Sequence, residues 1–142
     1  MDTIDKKHLD LINLWSKYCS EKKPDELINI FTDEFIYEDV ATGTISHNEK
    51  ELREFMESVY AKSPDIKFIV KNSFVKDNRG CAEWIMVGTQ TGPLKGGIPP
   101  TNKKFEIKGT SVFSFEGEKI KSCSDYSDML TLMKQIGLIN NK

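Results

Sequence analysis

The stretch from Lys104 to Phe115 constrains the fold most, because apolar and polar positions alternate along it. Strand side chains point to opposite faces in turn, so this alternation predicts a strand with one face turned to a core. The turn Glu116–Glu118 then leads into a final strand. The positions expected on the buried face are Phe105, Ile107, Gly109, Ser111, Phe113 and Phe115.

The other elements surround such a sheet with helices. Apolar residues at three- and four-residue spacing predict helices, and a capping box at Asn48–Glu51 marks the start of one of them. Runs of strand-forming residues that end at turns predict the strands. Helices are expected at about 3–20, from Pro24, at about 49–62 and from Asp128 to Gly137, and strands at 35–40, 66–75, 81–90, 105–115 and about 119–125.

The order of these elements predicts an α+β fold. Helices gather on one face of a curved antiparallel sheet, and such a sheet encloses a pocket. The chain has 142 residues, of which 38% are hydrophobic, and this size suits one domain spanning residues 1–142. The stretch at 92–101, rich in glycine and proline, is expected to fold over the mouth of the pocket.

Composition excludes several classes of function. The 20 basic and 22 acidic residues leave a net charge of -2 without a basic cluster, so no nucleic-acid partner is expected. The charged N-terminus and the lack of a long apolar run predict neither a signal peptide nor a membrane span, which favours a cytoplasmic protein. Cys19, Cys81 and Cys123 are too few and too widely spaced for a disulfide framework or a zinc site. No metal or cofactor is expected.

Acidic and hydroxyl side chains at two strand ends are the candidates for chemistry. Asp125 lies where the last strand meets the last helix, and a carboxylate at the rim of an apolar cavity gains a raised pKa. Asp128 lies at a helix start, where capping is the simpler interpretation. Tyr37 and Asp39 share a strand face, roughly 7 Å apart, and form either a functional pair or a structural hydrogen bond.

Aromatic residues and one further acid are candidates for contacting a ligand. These aromatic rings either stack on a flat molecule or belong to the core: Trp15, Trp84, Phe105, Phe113 and Tyr126. Glu83 either lines the cavity or faces solvent.

Four stretches, taken in order, resemble the NTF2-like superfamily and, within it, the SnoaL-like relatives of polyketide cyclases. They are Phe31–Asp39, Gly88–Gly92, Gly97–Thr101, and Asp125–Asp128 with Gln135–Gly137. The resemblance spans nearly the whole chain. It implies a cone-shaped α+β fold around an apolar pocket, covered by N-terminal helices, binding a small hydrophobic molecule and commonly forming a homodimer. The members include isomerases, cyclases, hydrolases and proteins without catalytic activity, so fold alone does not define function.

The resemblance to ketosteroid isomerases places Asp39 at the position of their general base. Their oxyanion-binding tyrosine corresponds to Trp15, and the protonated aspartate beside it corresponds to about Ser111. Because both strong donors are replaced, steroid isomerisation is disfavoured.

Two other branches point to the last strand. The resemblance to limonene epoxide hydrolases places Tyr37, Asp39 and Asp125 at water-orienting and catalytic positions, yet the segment around Glu83 offers no arginine. The resemblance to SnoaL-like cyclases implies that Asp125 or Asp128 is the acid/base, with Cys123 where a histidine often stands.

Two hypotheses therefore stand. In the first, the protein catalyses cofactor-independent acid/base chemistry of isomerase, cyclase or hydrolase type on a small, apolar, oxygenated substrate, with Asp125, Asp39 and Tyr37 as catalytic groups. Trp15, Glu83, Trp84, Ser111 and Tyr126 would contact that substrate. In the second, the same pocket binds a hydrophobic ligand, or the domain dimerises, without catalysis.

Overall fold

The computed structural model describes residues 2–140, which form four helices and six strands. The predicted helices and the four later strands are confirmed. β1 begins earlier than expected, directly after α2, and β2 lies in a segment for which no strand was expected. The elements are α1 (Thr3–Ser20), α2 (Pro24–Asn29), β1 (Phe31–Asp39), β2 (Thr44–Ser46), α3 (Glu49–Lys62), β3 (Lys67–Lys76), β4 (Arg79–Thr89), β5 (Lys104–Glu116), β6 (Lys119–Ser127) and α4 (Met129–Gln135).

The strands form one open, curved sheet in the order β2-β1-β6-β5-β4-β3. Its pairings are antiparallel except that β1 and β6 run parallel. This pairing differs from the wholly antiparallel sheet expected, because periodicity reveals a strand but not its neighbour. Shifts of register within three of the pairings bend the sheet. The α+β fold class is confirmed.

The two faces of the sheet have different surroundings. We call the face that carries Trp84, Ser111 and Asp125 the inner face, and the face that carries Glu83 and Tyr126 the outer face. The helix α1 packs on the inner face, mainly against β3. The inner face is tightly packed, since a Cβ atom added at Gly109 would lie 2.2 Å from the Trp84 ring.

Helix ends follow the sequence closely. The Asn48 side chain accepts a hydrogen bond from the Glu51 N–H at 2.9 Å, and the Glu51 carboxylate reaches back to the His47 N–H at 2.8 Å. These two bonds confirm the predicted cap at Asn48, although the Glu51 carboxylate accepts from the N–H one residue before the cap rather than from that of Asn48 itself. At the end of the chain, Gly137 adopts a φ of 86°, the left-handed conformation that commonly follows a helix.

The loop between β4 and β5 is anchored at its base. The buried Gln90 side chain donates to the Gly92 carbonyl and accepts from the Thr101 N–H. The Gly92 N–H donates to the Lys62 carbonyl at the end of α3. Leu94 packs against the core, whereas residues 95–100 are exposed. That this loop covers a pocket mouth stays a prediction.

Among residues 2–140, no helix combines the length and apolar character that crossing a membrane requires.

Candidate functional site

The Asp125 carboxylate is the centre of a buried hydrogen-bond network on the inner face. Asp125 lies on β6 and pairs in register with Ser111 on β5, while Tyr37 lies on the adjacent strand β1. The Ser111 hydroxyl donates to Oδ1 at 2.6 Å, and the Tyr37 hydroxyl donates to Oδ2 at 2.7 Å. Each carboxylate oxygen therefore receives one hydroxyl proton.

Two indole groups extend this network. The Trp15 Nε1–H of α1 donates to the Tyr37 hydroxyl at 3.0 Å, and the Trp84 Nε1–H of β4 donates to the Ser111 hydroxyl at 2.9 Å. We call these chains of bonds the tyrosine arm, formed by Trp15 and Tyr37, and the serine arm, formed by Trp84 and Ser111. Both arms end at Asp125.

Burial controls the ionisation of this cluster. Asp125 is only 8% exposed, and burial raises the pKa of its carboxyl to about 6, although hydrogen bonds from Ser111 and Tyr37 oppose the rise. The neighbouring Asp39 carboxylate raises this pKa further. Burial also raises the pKa of the Tyr37 hydroxyl well above its usual range, so that group keeps its proton and remains a donor. Asp125 can therefore exchange a proton near neutral pH.

The thiol of Cys123 is a donor that sequence reasoning did not assign. Its Sγ lies 3.4 Å from Asp125 Oδ1, and burial raises the pKa of the thiol well above its usual value. The signal was present, because residues two apart on a strand share a face. The part played by the indoles was also missed, since no spacing rule relates Trp15 to Tyr37.

Asp39 lies beside Asp125 but outside the network. The two residues pair in register on the parallel strands β1 and β6, and the Asp39 carboxylate accepts from the Thr42 hydroxyl at 2.8 Å. Tyr37 donates to Asp125. The structure thus brings Tyr37 and Asp125 together and leaves Asp39 half-buried at the end of its strand.

The remaining candidates fall into two groups. Trp15, Trp84 and Ser111 are buried on the inner face, where their polar atoms bond within the network. Glu83 and Tyr126 are exposed on the outer face, and Glu83 accepts from the Asn72 amide at 3.3 Å. The structure does not bring these last two side chains to Asp125, because each is one strand position away from an inward-facing residue.

Asp128 is a helix cap. Its carboxylate accepts from the N–H and the hydroxyl of Thr131, at 3.1 and 2.6 Å, and these bonds lower its pKa. The geometry favours Asp125 over Asp128 as the acid of the inner face.

Two open surface depressions lie away from Asp125, and within residues 2–140 no cluster of three or more His, Cys, Asp or Glu side chains could hold a metal ion. The first depression measures about 560 Å³, beside α4, and the second about 600 Å³, along α3. Both are lined mainly by polar and charged side chains. Neither includes a residue of the two arms.

Comparison with known proteins agrees with this architecture. The model of the SnoaL-like polyketide cyclase family matches residues 9–136, which include every residue of the network. The chain belongs to this family. No curated protein sequence matches it.

Solved structures share the SnoaL-like fold along nearly the whole chain. A protein named as a SnoaL-like polyketide cyclase from Jannaschia sp. superposes with a TM-score of 0.87 at 15% identity, covering 98% of this chain and 97% of that one. IdmH from Streptomyces antibioticus, named as a polyketide cyclase, gives a TM-score of 0.79 at 18% identity, covering 90% and 96%. A Catenulispora acidiphila protein with a ketosteroid isomerase-like fold gives 0.78 at 16%, covering 89% and 92%. At these identities the likeness shows the fold alone.

Proposed function

We propose that this SnoaL-like protein is a cofactor-independent acid/base enzyme of cyclase or isomerase type, acting on a small, apolar, oxygenated molecule. The observation that carries the proposal is a buried carboxylate, that of Asp125, whose pKa of about 6 lets it take up and return a proton near neutral pH.

The proposed reaction begins at a carbon next to a carbonyl group. The Asp125 carboxylate removes a proton from that carbon, and the electron pair of the C–H bond forms an enolate. In a cyclase, the enolate carbon bonds to a second carbonyl carbon of the same molecule, and the resulting alkoxide takes the proton back from Asp125. In an isomerase, the proton returns to a different carbon. Either sequence is redox-neutral and balances without a co-reactant.

The same proton transfer supplies a donor for the enolate oxygen. Once Asp125 is protonated and neutral, the hydrogen bonds that it accepted as an anion from Tyr37 and Ser111 become weaker. The Tyr37 hydroxyl, which still accepts from Trp15, is then free to donate to the substrate. Donors aimed at developing negative charge are usually the largest single contribution to such catalysis. Tyr37 is therefore proposed as a catalytic donor.

The position of Asp39 suggests how a substrate reaches Asp125. Asp39 is half-buried on the same face and beside Asp125, at the point where β1 ends. We propose that the substrate enters along this edge, with Asp39 keeping the local charge negative and so maintaining the raised pKa of Asp125.

A base assay with 5-nitrobenzisoxazole tests the proposal, because a base that removes its ring proton opens the ring to a coloured phenolate. We expect the rate to rise with pH through about 6 and then level. Asp125→Asn should lower it by about 10²- to 10⁴-fold. Asp39→Asn is the matched control: it should keep a pH-dependent rate, with a lower midpoint because the Asp39 carboxylate raises the pKa of Asp125. If Asp125→Asn retains turnover, Asp125 is not the catalytic base.

A second function has its own supporting observation. Every polar side-chain atom of the network is already bonded to another group of the protein, so none of them lacks a partner that a substrate would have to supply. A domain that binds a small hydrophobic molecule without changing it would also fit this arrangement. Recovery of a bound ligand unchanged, with an affinity insensitive to Asp125→Asn, would favour binding over catalysis.

Assembly and compartment complete the proposal. The outer face carries exposed apolar side chains, including Phe74 at 58% and Tyr126 at 47%, and such a surface suits pairing of two copies into a homodimer. The three cysteines are free, which suits the reducing cytoplasm.

A further inference from the structure

The two arms that meet at Asp125 have the same polarity. In each arm an indole N–H donates to a hydroxyl oxygen, and that hydroxyl donates to one carboxylate oxygen. We propose that Trp15 and Trp84 are positioning residues, whose N–H groups fix the direction in which Tyr37 and Ser111 donate and thereby hold Asp125 as an anion ready to accept a proton. This inference extends the proposed function, and it depends on that function only because it treats Asp125 as the base.

The direction follows from the inventory of donors and acceptors. An indole N–H can only donate, whereas a hydroxyl has one proton and two lone pairs. Once the Tyr37 oxygen accepts from Trp15, its own proton is directed to Asp125 Oδ2. A reversed hydroxyl would point its proton at the indole and leave a buried N–H without an acceptor, which is costly. The same reasoning applies to Ser111 and Trp84.

The network is fully satisfied in this one arrangement. Among residues 2–140, the buried side-chain polar atom without a partner is Nδ1 of His8, which bonds through Nε2 to the Gly117 carbonyl and stacks on Phe115. No atom of either arm lacks a partner. The hydrogen bonds of the two arms are therefore satisfied by the protein's own groups, without a ligand or a further residue.

Packing keeps both indoles in place. The Trp15 ring is fully buried and meets Phe113 edge-on at 5.3 Å between ring centroids. The Trp84 ring meets Phe68 edge-on at 5.3 Å and leaves no room for a side chain at Gly109. Because dense packing fixes both rings, their N–H groups act as donors of constant direction.

The arms also strengthen the bonds that reach the carboxylate. A hydroxyl that accepts a hydrogen bond becomes a better donor, and chains of such bonds reinforce each other in a buried site. Burial pushes Asp125 toward its neutral form, and the two arms push it back toward the anion. Removing an indole N–H should therefore raise the pKa of Asp125 even though neither indole touches the carboxylate.

The unmodified protein provides the first test. We expect the two indole N–H signals in a ¹⁵N–¹H spectrum to exchange slowly with solvent. We also expect the chemical shift of each signal to change with pH, with the same midpoint as the titration of Asp125. That midpoint is read independently from the ¹³C signal of the carboxyl carbon. In Asp125→Asn this common titration should disappear. Indole signals that are insensitive to pH, or that titrate with another midpoint, would overturn the inference.

Substitution provides the second test. Trp15→Phe and Trp84→Phe keep an aromatic ring and remove the N–H, and each should raise the pKa of Asp125 by about half a unit to one unit. Phe68→Leu is the control, since Phe68 packs against both indoles while its side chain lacks a polar atom. It alters the packing around the rings and leaves both donors, so it should leave the pKa nearly unchanged.

The outcomes separate this inference from the proposed function. An Asp125 pKa that neither tryptophan variant moves, or that Phe68→Leu moves as far, refutes the positioning role. If the pKa moves as expected while Asp125→Asn retains turnover, the positioning role stands and the catalytic assignment fails. If a tryptophan variant does not fold, the titration of the unmodified protein still decides.

Discussion

The inner and outer faces of strands β5 and β6 differ in a way that reverses the usual pattern. At one register the inner face carries Ser111 and Asp125, both buried, and at the next the outer face carries Thr110 and Tyr126, the latter 47% exposed. A polar pair is thus enclosed while an aromatic ring faces outward. Burying a carboxylate and exposing apolar surface are both unfavourable for an isolated domain. The inner departure is the basis of the proposed chemistry, and the outer one is the basis of the proposed self-association.

The comparison predicts that adding one carbon lowers stability much more on the inner face than on the outer face. Gly109→Ala places a Cβ atom 2.2 Å from the Trp84 ring, and that ring is fixed by its bond to Ser111. We expect a loss of about 3 kcal/mol in the free energy of unfolding. Ser124→Thr, the control on the outer face of β6, should change stability by less than about 0.5 kcal/mol. Urea denaturation measures both, and equal effects would remove the distinction between the faces.

The buried carboxyl of the inner face should also make the stability of the protein depend on pH. The pKa of Asp125 is about 6 in the folded protein and 3.8 without burial, so between these values the folded chain binds more protons than the unfolded chain. Stability from this group is therefore complete below about pH 4 and falls as the pH rises through about 6, by on the order of 3 kcal/mol.

Asp125→Asn provides the reference for that measurement. The difference in unfolding free energy between the native protein and this variant should shift in favour of the variant as the pH rises from about 4 to about 7. A difference that stays constant over this range would contradict the raised pKa.

Two tyrosines on opposite faces provide the next comparison. Tyr37→Phe removes the donor to Asp125 Oδ2 and leaves the Trp15 N–H without its acceptor. We expect the pKa of Asp125 to rise by about one unit, and stability to fall by about 1 to 2 kcal/mol. Tyr126→Phe removes the same atom one residue from Asp125 but on the outer face, and should leave the pKa unchanged. ¹³C titration of the carboxyl group distinguishes the two, and equal shifts would show that the face is irrelevant.

Much of the architecture was predictable from the sequence because the relevant signals are local. Alternation along β5, the capping box at Asn48 and the glycine after α4 each depend on residues within a few positions. The parallel pairing of β1 with β6 was not predictable. Asp39 and Asp125 are far apart in the sequence, and the residues of a strand do not indicate which other strand lies beside it.

The candidate site was likewise predictable in part: individual residues could be identified from the sequence, but their contacts could not. Asp125 was identified from its position at a strand end, and Tyr37 from the strand face that it shares with Asp39. Their hydrogen bond depends on the parallel pairing of β1 with β6, so the sequence suggested Asp39 as the partner of Tyr37. Glu83 was assigned to the pocket by resemblance, and Tyr126 as a ring that could stack on a ligand. Strand alternation from Trp84 and Asp125 would have placed both on the outer face.

The smallest expected effect on the stability of a single chain concerns the outer face. Phe74 is exposed and far from the network, so Phe74→Lys should change the free energy of unfolding of one chain by less than about 0.5 kcal/mol. If the outer face joins two copies, the same change should shift the mass measured by sedimentation from dimer to monomer, because an unpaired charge within an interface is costly. Leu130→Lys is the matched control, an exposed apolar residue on α4 rather than on the sheet. A native protein that sediments as a monomer, or equal effects of the two substitutions, would mean that the exposed apolar side chains of the outer face serve something other than self-association.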